Sequence, residues 1–187
     1  MLKMNLEFRR QIFHAVFGLV LVSLIYFNYL NLMYLLYLLL IGLIISLVYM
    51  KREIKIIKWF LERFDRKEGI PGRGAITFLI GVILSLLLFE KDVALASIMI
   101  LSLGDSICHL GRFGKIKHPF NENKYIEGVL AGIIAGGLGA AIFVGFSIAF
   151  FGSLIAMVFE SFEIEILEKK LDDNIMIPII AGIVMSI

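Results

Sequence analysis

The chain has 187 residues, of which 60% are hydrophobic, and its mean hydropathy is +0.94. Soluble domains are about 45–50% apolar, so this composition excludes an ordinary soluble domain. The net charge of +2 and the single cysteine, Cys108, indicate neither a nucleic-acid partner nor an internal disulfide. A membrane helix needs about 20 residues, so the length allows about six to eight crossings and no separate soluble domain.

The apolar runs predict an all-α, polytopic membrane protein with about seven short transmembrane helices in one domain, 1–187. Lys3, Arg9 and Arg10 precede the first run, and no small-residue cleavage site follows it, which indicates a retained signal-anchor helix. The predicted crossings are 12–27, 32–50, 75–89, 93–110, 126–143, 144–159 and 175–187. Residues 124–159 also fit one long helix followed by a re-entrant piece.

Two patterns between these runs predict further structure. The segment 51–66 places apolar residues at helical spacing among charges, which is typical of an amphipathic helix on a membrane surface. Such a helix either stabilises the protein on anionic lipid or gives a substrate access to the site. Gly128, Gly132 and Gly136 recur every four residues, which predicts close helix packing and not a nucleotide-binding loop.

The distribution of basic residues predicts the orientation. With a cytoplasmic N-terminus, every Lys and Arg except Lys91 falls on the inner side of the predicted crossings. The positive-inside rule favours this arrangement, and an odd number of crossings places the C-terminus outside. We therefore expect a multi-pass protein of the cell membrane whose charged segments face the cytoplasm.

The segment 104–128 is the first candidate for chemistry. Asp105 follows an apolar run too short to have crossed a membrane, and an acid within such a helix indicates a functional site. His109 follows one helical turn later, on the same face. The alternative is that Asp105 is a structural partner of Arg112 or His109. A basic, glycine-rich bend follows, which suits an oxyanion: Gly111, Arg112, Gly114, Lys115 and Lys124.

Acidic residues before the last predicted helix are the second candidate. Asp172, Asp173 and Asn174 begin this helix on the same side as Asp105. Carboxylate and amide oxygens from two segments suit Mg²⁺, which binds one or two carboxylates together with phosphates. The alternative is helix capping by Asp173 or Asn174. His14, inside the first helix, is either a packing residue or part of the site.

With these stretches in order, the chain resembles the CTP-dependent lipid kinases, namely dolichol kinase, phytol kinase and CTP-dependent diacylglycerol kinase, which are related to phosphatidate cytidylyltransferases. The first two stretches are Glu7, Arg10 and His14, and the glycine-rich start of a helix at 71–81. The third and strongest comprises Gly104, Asp105, Gly111, Gly114, Lys115, Lys124, Glu127 and Gly128. The fourth comprises Glu160, Asp173, Asn174 and Pro178. Tyr125 replaces a family serine, so no hydroxyl contact to phosphate is implied there.

The resemblance implies a kinase that transfers the γ-phosphoryl of CTP to the hydroxyl of a polyprenol, another isoprenoid or a diacylglycerol-like lipid. Asp105, Asp173 and Asn174 are expected to hold Mg²⁺, and Glu127 or His109 to accept the hydroxyl proton. Gly111, Arg112, Gly114, Lys115 and Lys124 are expected to contact the phosphates, in a cytoplasmic catalytic loop at 104–128. Arg10, His14 and Glu160 complete the predicted site.

Two other functions remain open at this point. A cytidylyltransferase would use a similar Mg²⁺–CTP site to join CMP to a lipid phosphate. A small transporter would use Asp105 and His109 as an ion relay, although the nearly charge-free outer half argues against a polar path. The residues do not distinguish one lipid acceptor or oligomeric state from another.

Overall fold

The structure is a computed structural model that describes residues 2–65, 69–110, 114–119, 121–162, 165–166, 169–170 and 172–187. Within these residues the chain is all-α apart from two short antiparallel ladders. The helices are α1 (Leu2–Tyr26), α2 (Leu32–Lys51), α3 (Lys55–Phe64), α4 (Arg73–Leu88), α5 (Lys91–Met99), α6 (Ser106–Leu110), α7 (Ile126–Ala140), α8 (Phe146–Ser161) and α9 (Asp173–Met185). A π-helical segment, Ile100–Asp105, joins α5 to α6.

The two ladders lie in the connections between helices. Strands β1 (Lys117–His118) and β2 (Asn121–Tyr125) pair before α7. Strands β3 (Glu165–Ile166) and β4 (Lys169–Lys170) pair before α9. Neither ladder is large enough to form a core, so the fold depends on helix packing.

The structure places a helix at each of the seven predicted crossings and at the predicted amphipathic segment. Residues 126–161 form two short helices with a turn between them, which decides the alternative left open by the sequence. Three helices of the described chain are long and apolar enough to cross a membrane: residues 6–26, 32–51 and 91–110. Four apolar helices are shorter, namely α4, α7, α8 and α9, so seven crossings remain a prediction.

The core lies around the continuous helix at 91–110, which is the most buried of the three long helices. Leu95, Ile98 and Leu101 of this helix are fully buried. By contrast, α2 exposes most of its large apolar side chains, an arrangement that is stable only where the surrounding medium is itself apolar. The protein is therefore associated with a membrane.

Close packing of glycines brings α7 against the π segment, as the four-residue spacing predicts. A Cβ on Gly132 would lie 2.7 Å from the carbonyl oxygen of Gly104 and 3.0 Å from the Cβ of Cys108. A Cβ on Gly136 would lie 2.8 Å from Ser153 Oγ. These positions have no room for a side chain, so the glycines allow α7 and α8 to pack against the helix that bears Asp105.

The ends of the helices fall into two groups. At one end, the middle of α1 meets the helix at 91–110 through the contact of His14 with Asp105, and the start of α9 meets α4 through the bond from Asn174 to Thr77. At the opposite end, Lys91 Nζ donates to Asn28 Oδ1 over 2.7 Å. The first group contains the residues that the sequence singles out, and we call it the polar end.

Candidate functional site

A cavity of about 290 Å³ opens at the polar end, between α1, α3, α4, α6 and α9. One wall is polar and the other is apolar and mostly aromatic. The polar wall consists of Arg10, Gln11, His14, Asp65, Arg73, Asp105, His109, Asp172, Asp173 and Asn174. The apolar wall consists of Phe13, Phe17, Phe60, Leu61, Phe64 and Phe78, together with Ala75.

Asp105 is a central acid of the polar wall. It ends the π segment, whose wider turn sets the direction of its side chain, and its residue is only 6% exposed. Asp105 Oδ1 is 3.2 Å from His109 Nδ1, and Asp105 Oδ2 is 3.9 Å from His14 Nε2. His109 Nδ1 is also 3.2 Å from the main-chain oxygen of Asp105. π-Helical turns occur frequently at functional sites.

Three buried polar atoms of this wall, Arg10 Nε, His14 Nε2 and Asp105 Oδ1, lack a well-aligned hydrogen bond within the described residues. Buried polar groups almost always have partners, because leaving one unpaired costs about 1–3 kcal/mol. A ligand or ion that enters the cavity would remove this cost.

The start of α9 supplies the opposite side of the polar wall. The side chain of Asp172 caps the helix by accepting from the Asn174 N–H, so neither Asp173 nor Asn174 takes that role. Asn174 Nδ2 donates to Thr77 Oγ1 over 2.9 Å and to Asp172 Oδ1 over 3.0 Å. The amide oxygen of Asn174 is therefore the atom left to bind a ligand.

Packing holds this start of α9 close to α4. A Cβ on Gly81 would overlap the main-chain oxygen of Asn174, so only glycine allows this approach. Arg73 at the start of α4 lies 3.4 Å from Asp172 through Nη2 and Oδ2. The sequence treats 71–81 only as a glycine-rich helix start, and Arg73 is a cavity residue that it did not select.

The donor set of the polar wall fits a hard cation. Asp105, Asp173 and Asn174, which the sequence predicts as metal ligands, all line this one cavity. Carboxylate and amide oxygens are the ligands that Mg²⁺ takes in proteins, and it leaves further positions for phosphate oxygens. Asp105 Oδ1, which makes no well-aligned hydrogen bond within the described residues, is one atom that such an ion would bind.

Lys124 and Glu160 belong to a second cluster, which does not line the cavity. Lys124 Nζ contacts Glu160 Oε1 and donates to the Glu160 main-chain oxygen over 2.9 Å. Glu160 is fully buried and Lys124 is 6% exposed. Cys108 Sγ lies 3.9 Å from Glu160 Oε2, so this closed cluster is internally satisfied. Cys108, His109 and Glu160 also have their ligand atoms within 4.8 Å of one another.

The lysine of the closed cluster stays charged. Burial lowers the pKa of Lys124, but the adjacent Glu160 carboxylate raises it by more, so the pKa lies above the ordinary 10.5. An internal ion pair of this kind is typical of a structural contact. For Lys124 to contact a phosphate, its pair with Glu160 would have to open.

Glu127 is placed in a different setting from His109. Its Oε1 accepts from the backbone N–H groups of Lys115, over 2.9 Å, and Ile116, over 3.1 Å. A Cβ on Gly114 would lie 2.5 Å from Glu127 Oε2, so glycine is needed for this contact. Glu127 therefore holds the loop before β1, whereas His109 lines the cavity. Gly111 and Arg112, which the sequence places in the phosphate-binding bend, lie outside the described residues.

The fold and the site define a helical membrane protein with an acidic, histidine-containing cavity at one end of its helices. The chain is 30% identical over 185 residues to the uncharacterized protein MJ1137 of Methanocaldococcus jannaschii, a match that covers 96% of this chain and 93% of that protein. It belongs to the same family as that protein.

A second relative has a named activity. Over 83 residues the chain is 34% identical to the CTP-dependent diacylglycerol kinase 1 of Eremothecium gossypii, which covers 43% of this chain and 26% of the kinase. Neither a protein-family model nor a solved structure matches the chain. The similarity to this kinase is partial and extends over less than half of the chain.

Proposed function

We propose that the protein is a membrane lipid kinase that transfers the γ-phosphoryl of CTP to the hydroxyl of a lipid alcohol. The observation that supports this most is the cavity at the polar end, where the buried carboxylate of Asp105, flanked by two histidines, meets an aromatic wall. Phosphoryl transfer needs charge neutralisation and positioning more than covalent chemistry. A cavity with a polar and an apolar wall provides both for a phosphate and a lipid.

In this proposal Asp105, Asp173 and Asn174 hold Mg²⁺. The ion would supply positive charge to the phosphate oxygens of CTP. The cations that line the cavity are Arg10 and Arg73, so these also neutralise the phosphates. Gly114 and Lys115 remain predicted phosphate contacts of this site, as do Gly111 and Arg112, which lie outside the described residues.

The reaction breaks the bond between the γ-phosphorus and the oxygen that bridges it to CDP. The lipid oxygen forms the new bond to phosphorus, CDP leaves, and the hydroxyl proton passes to a base. Of the two predicted acceptors, His109 lines the cavity, and Glu127 holds the neighbouring loop. We therefore assign His109 as the proton acceptor. The positive-inside pattern supports a site on the cytoplasmic side of the cell membrane.

CTP labelled separately at the α and γ positions tests the proposal on the purified protein in lipid nanodiscs. With Mg²⁺ and a panel that includes a polyprenol and diacylglycerol, we expect γ label in the lipid product and α label only in released CDP. Heat-inactivated protein in the same nanodiscs is the control.

Two results would contradict the kinase assignment. Appearance of α label in the lipid fraction, with a lipid phosphate as acceptor, would identify a cytidylyltransferase. If no label from either position enters any acceptor while the protein remains folded, both phosphoryl transfer and cytidylyl transfer are excluded.

A further inference from the structure

The amphipathic helix α3 contributes part of the apolar wall of the cavity. Phe60, Leu61 and Phe64, at helical spacing, line the cavity, and Ile56 and Trp59 are exposed by 81% and 53%. A side chain as apolar as Ile56 is rarely that exposed to water, so this face suits a lipid surface. Thus α3 has one apolar face on the cavity and another directed outward.

Aromatic side chains connect α3 with the polar wall. The Phe13 ring of α1 lies 5.3 Å from that of Phe60 and 5.1 Å from that of Phe64, between ring centroids. Phe13 stacks on Phe17 at 5.6 Å, and Phe17 lies 5.6 Å from Phe78. This row of ring contacts, which we call the aromatic path, ends at His14. The His14 ring is 4.7 Å from that of Phe78, and His14 Nε2 is 3.9 Å from Asp105.

The charge of α3 indicates what lies outside it. Lys55, Lys58 and Arg63 outnumber Glu62, and the guanidinium of Arg63 lies 4.1 Å from the centre of the Trp59 ring. Basic residues beside exposed apolar ones attract a helix to a membrane surface that contains anionic lipid. The aromatic path therefore begins at the membrane surface and ends at the acid of the site.

We propose that this path binds the hydrocarbon chain of the lipid acceptor, which enters between α1 and α3 and presents its hydroxyl at Asp105. The inference rests on the proposed kinase function only for the identity of the acceptor as a long-chain alcohol. A continuous hydrocarbon contact over several rings favours a long apolar chain over a short, water-soluble alcohol. Residues Phe13, Phe60 and Phe64 are then specificity residues, and they take no part in the phosphoryl transfer itself.

Photocrosslinking without nucleotide tests this path. A long-chain isoprenoid alcohol with a diazirine in its chain is added to the protein in nanodiscs. The sample is irradiated, and the crosslinked residues are located by peptide mass spectrometry. We expect crosslinks in residues 13–17 and 60–64 that an excess of unlabelled alcohol removes. Phe60→Ala should reduce them about 10-fold, and Ile56→Ala, on the outward face of the same helix, should leave them unchanged.

The kinetic constants for two acceptors are the second measurement, and they distinguish weaker lipid binding from a folding defect. In the Phe60→Ala variant, KM for the long-chain alcohol should rise about 10-fold, and KM for CTP and turnover of a short-chain alcohol should stay as in the wild type. Loss of activity with both acceptors means that the variant is misfolded, and the milder Phe60→Leu then has to show the same selective rise in KM.

The outcomes separate this inference from the proposed function. Competable crosslinks at 13–17 and 60–64 without any phosphoryl transfer would leave the lipid path in place and contradict the kinase. Transfer from CTP with crosslinks only on the outward residues of α3 and on α2 would support the kinase and overturn the path.

Discussion

Two polar clusters lie on neighbouring faces of α6, and they differ in the groups that surround the buried carboxylate. Cys108 faces the closed cluster, in which Lys124 neutralises the fully buried Glu160. His109, the next residue, faces the cavity cluster, in which Asp105 Oδ1 and His14 Nε2 lack a hydrogen bond within the described chain. In the first cluster a lysine neutralises the buried acid, and in the second the acid lies between two histidines on the wall of the cavity.

The difference shows which charges hold the fold and which are available for chemistry. A buried ion pair adds little stability compared with two apolar side chains, but removing one partner leaves the charge of the other uncompensated. A buried acid that lines a cavity between two histidines is a candidate for binding and catalysis. The sequence alone placed Asp105, Lys124 and Glu160 in one site. In the structure Asp105 lines the cavity and the other two do not, although ligand atoms of His109 and Glu160 lie within 4.8 Å of each other.

The largest expected effect is the loss of phosphoryl transfer in Asp105→Asn. Even residues that only support a metal ligand typically contribute about 10–100-fold to activity, so we expect a fall of at least about 100-fold. The variant should stay folded in detergent, because Asn keeps the size of the side chain, and the thermal midpoint measures this. The control is Asp92→Asn, an exposed acid at the other end of the same long helix. Wild-type turnover by Asp105→Asn would remove this residue from the site.

The next effect concerns stability of the closed cluster. Lys124→Met or Glu160→Leu alone should lower the free energy of unfolding by about 3–5 kcal/mol, because each leaves one buried charge unpaired. The double variant should recover most of this loss, since two apolar side chains replace the pair. Thermal or denaturant unfolding of the wild type, the two single variants and the double variant measures the coupling free energy between Lys124 and Glu160. Additive losses would show that the pair does not act as a unit.

A smaller effect is expected from Gly132→Ala, which adds a methyl group between α7 and the π segment. Overpacking of this kind costs about 1–3 kcal/mol, and it should also shift Asp105 and reduce turnover. Gly42→Ala is the matched control, because no atom lies within 4 Å of a Cβ at that position of α2. There the change should stabilise the helix by about 0.5–1 kcal/mol. Equal stability of the two variants would contradict the close packing.

The smallest effect is a pH dependence at high pH. The raised pKa of Lys124 means that its pair with Glu160 contributes fully below the unfolded-state value and is lost as pH rises through the folded-state pKa. The thermal midpoint of the wild type should therefore fall relative to the double variant only above about pH 10.5. If the thermal midpoint of the wild type has already fallen fully relative to the double variant near neutral pH, Lys124 is not held charged by its partner.

The helices were predictable because apolar runs and charged connectors mark them clearly. The seven predicted runs and the amphipathic segment are all helical, and the spacing of Gly132 and Gly136 correctly predicts close packing. Only three helices of the described chain satisfy the length of a crossing, so the number of crossings and the orientation remain predictions.

The site was predictable only in part. Polarity within a helix revealed Asp105 and His14, and Asp173 and Asn174 followed from oxygen ligands near a helix start. The π turn at Asp105 has no local sequence signature, and the pairing of Lys124 with Glu160 joins residues 36 positions apart. Likewise, Arg73 becomes a cavity residue only through the packing of α4 against α9. Tertiary contacts decided these features.

The most direct test compares the two clusters in one assay. Transfer of γ label from CTP to a long-chain lipid alcohol is measured for the wild type, Asp105→Asn and the double variant Lys124→Met with Glu160→Leu, all in the same nanodiscs. We predict that the double variant retains most of the wild-type rate and that Asp105→Asn loses it. A folded double variant that is as inactive as Asp105→Asn would show that the closed cluster takes part in the reaction and would contradict the separation proposed here.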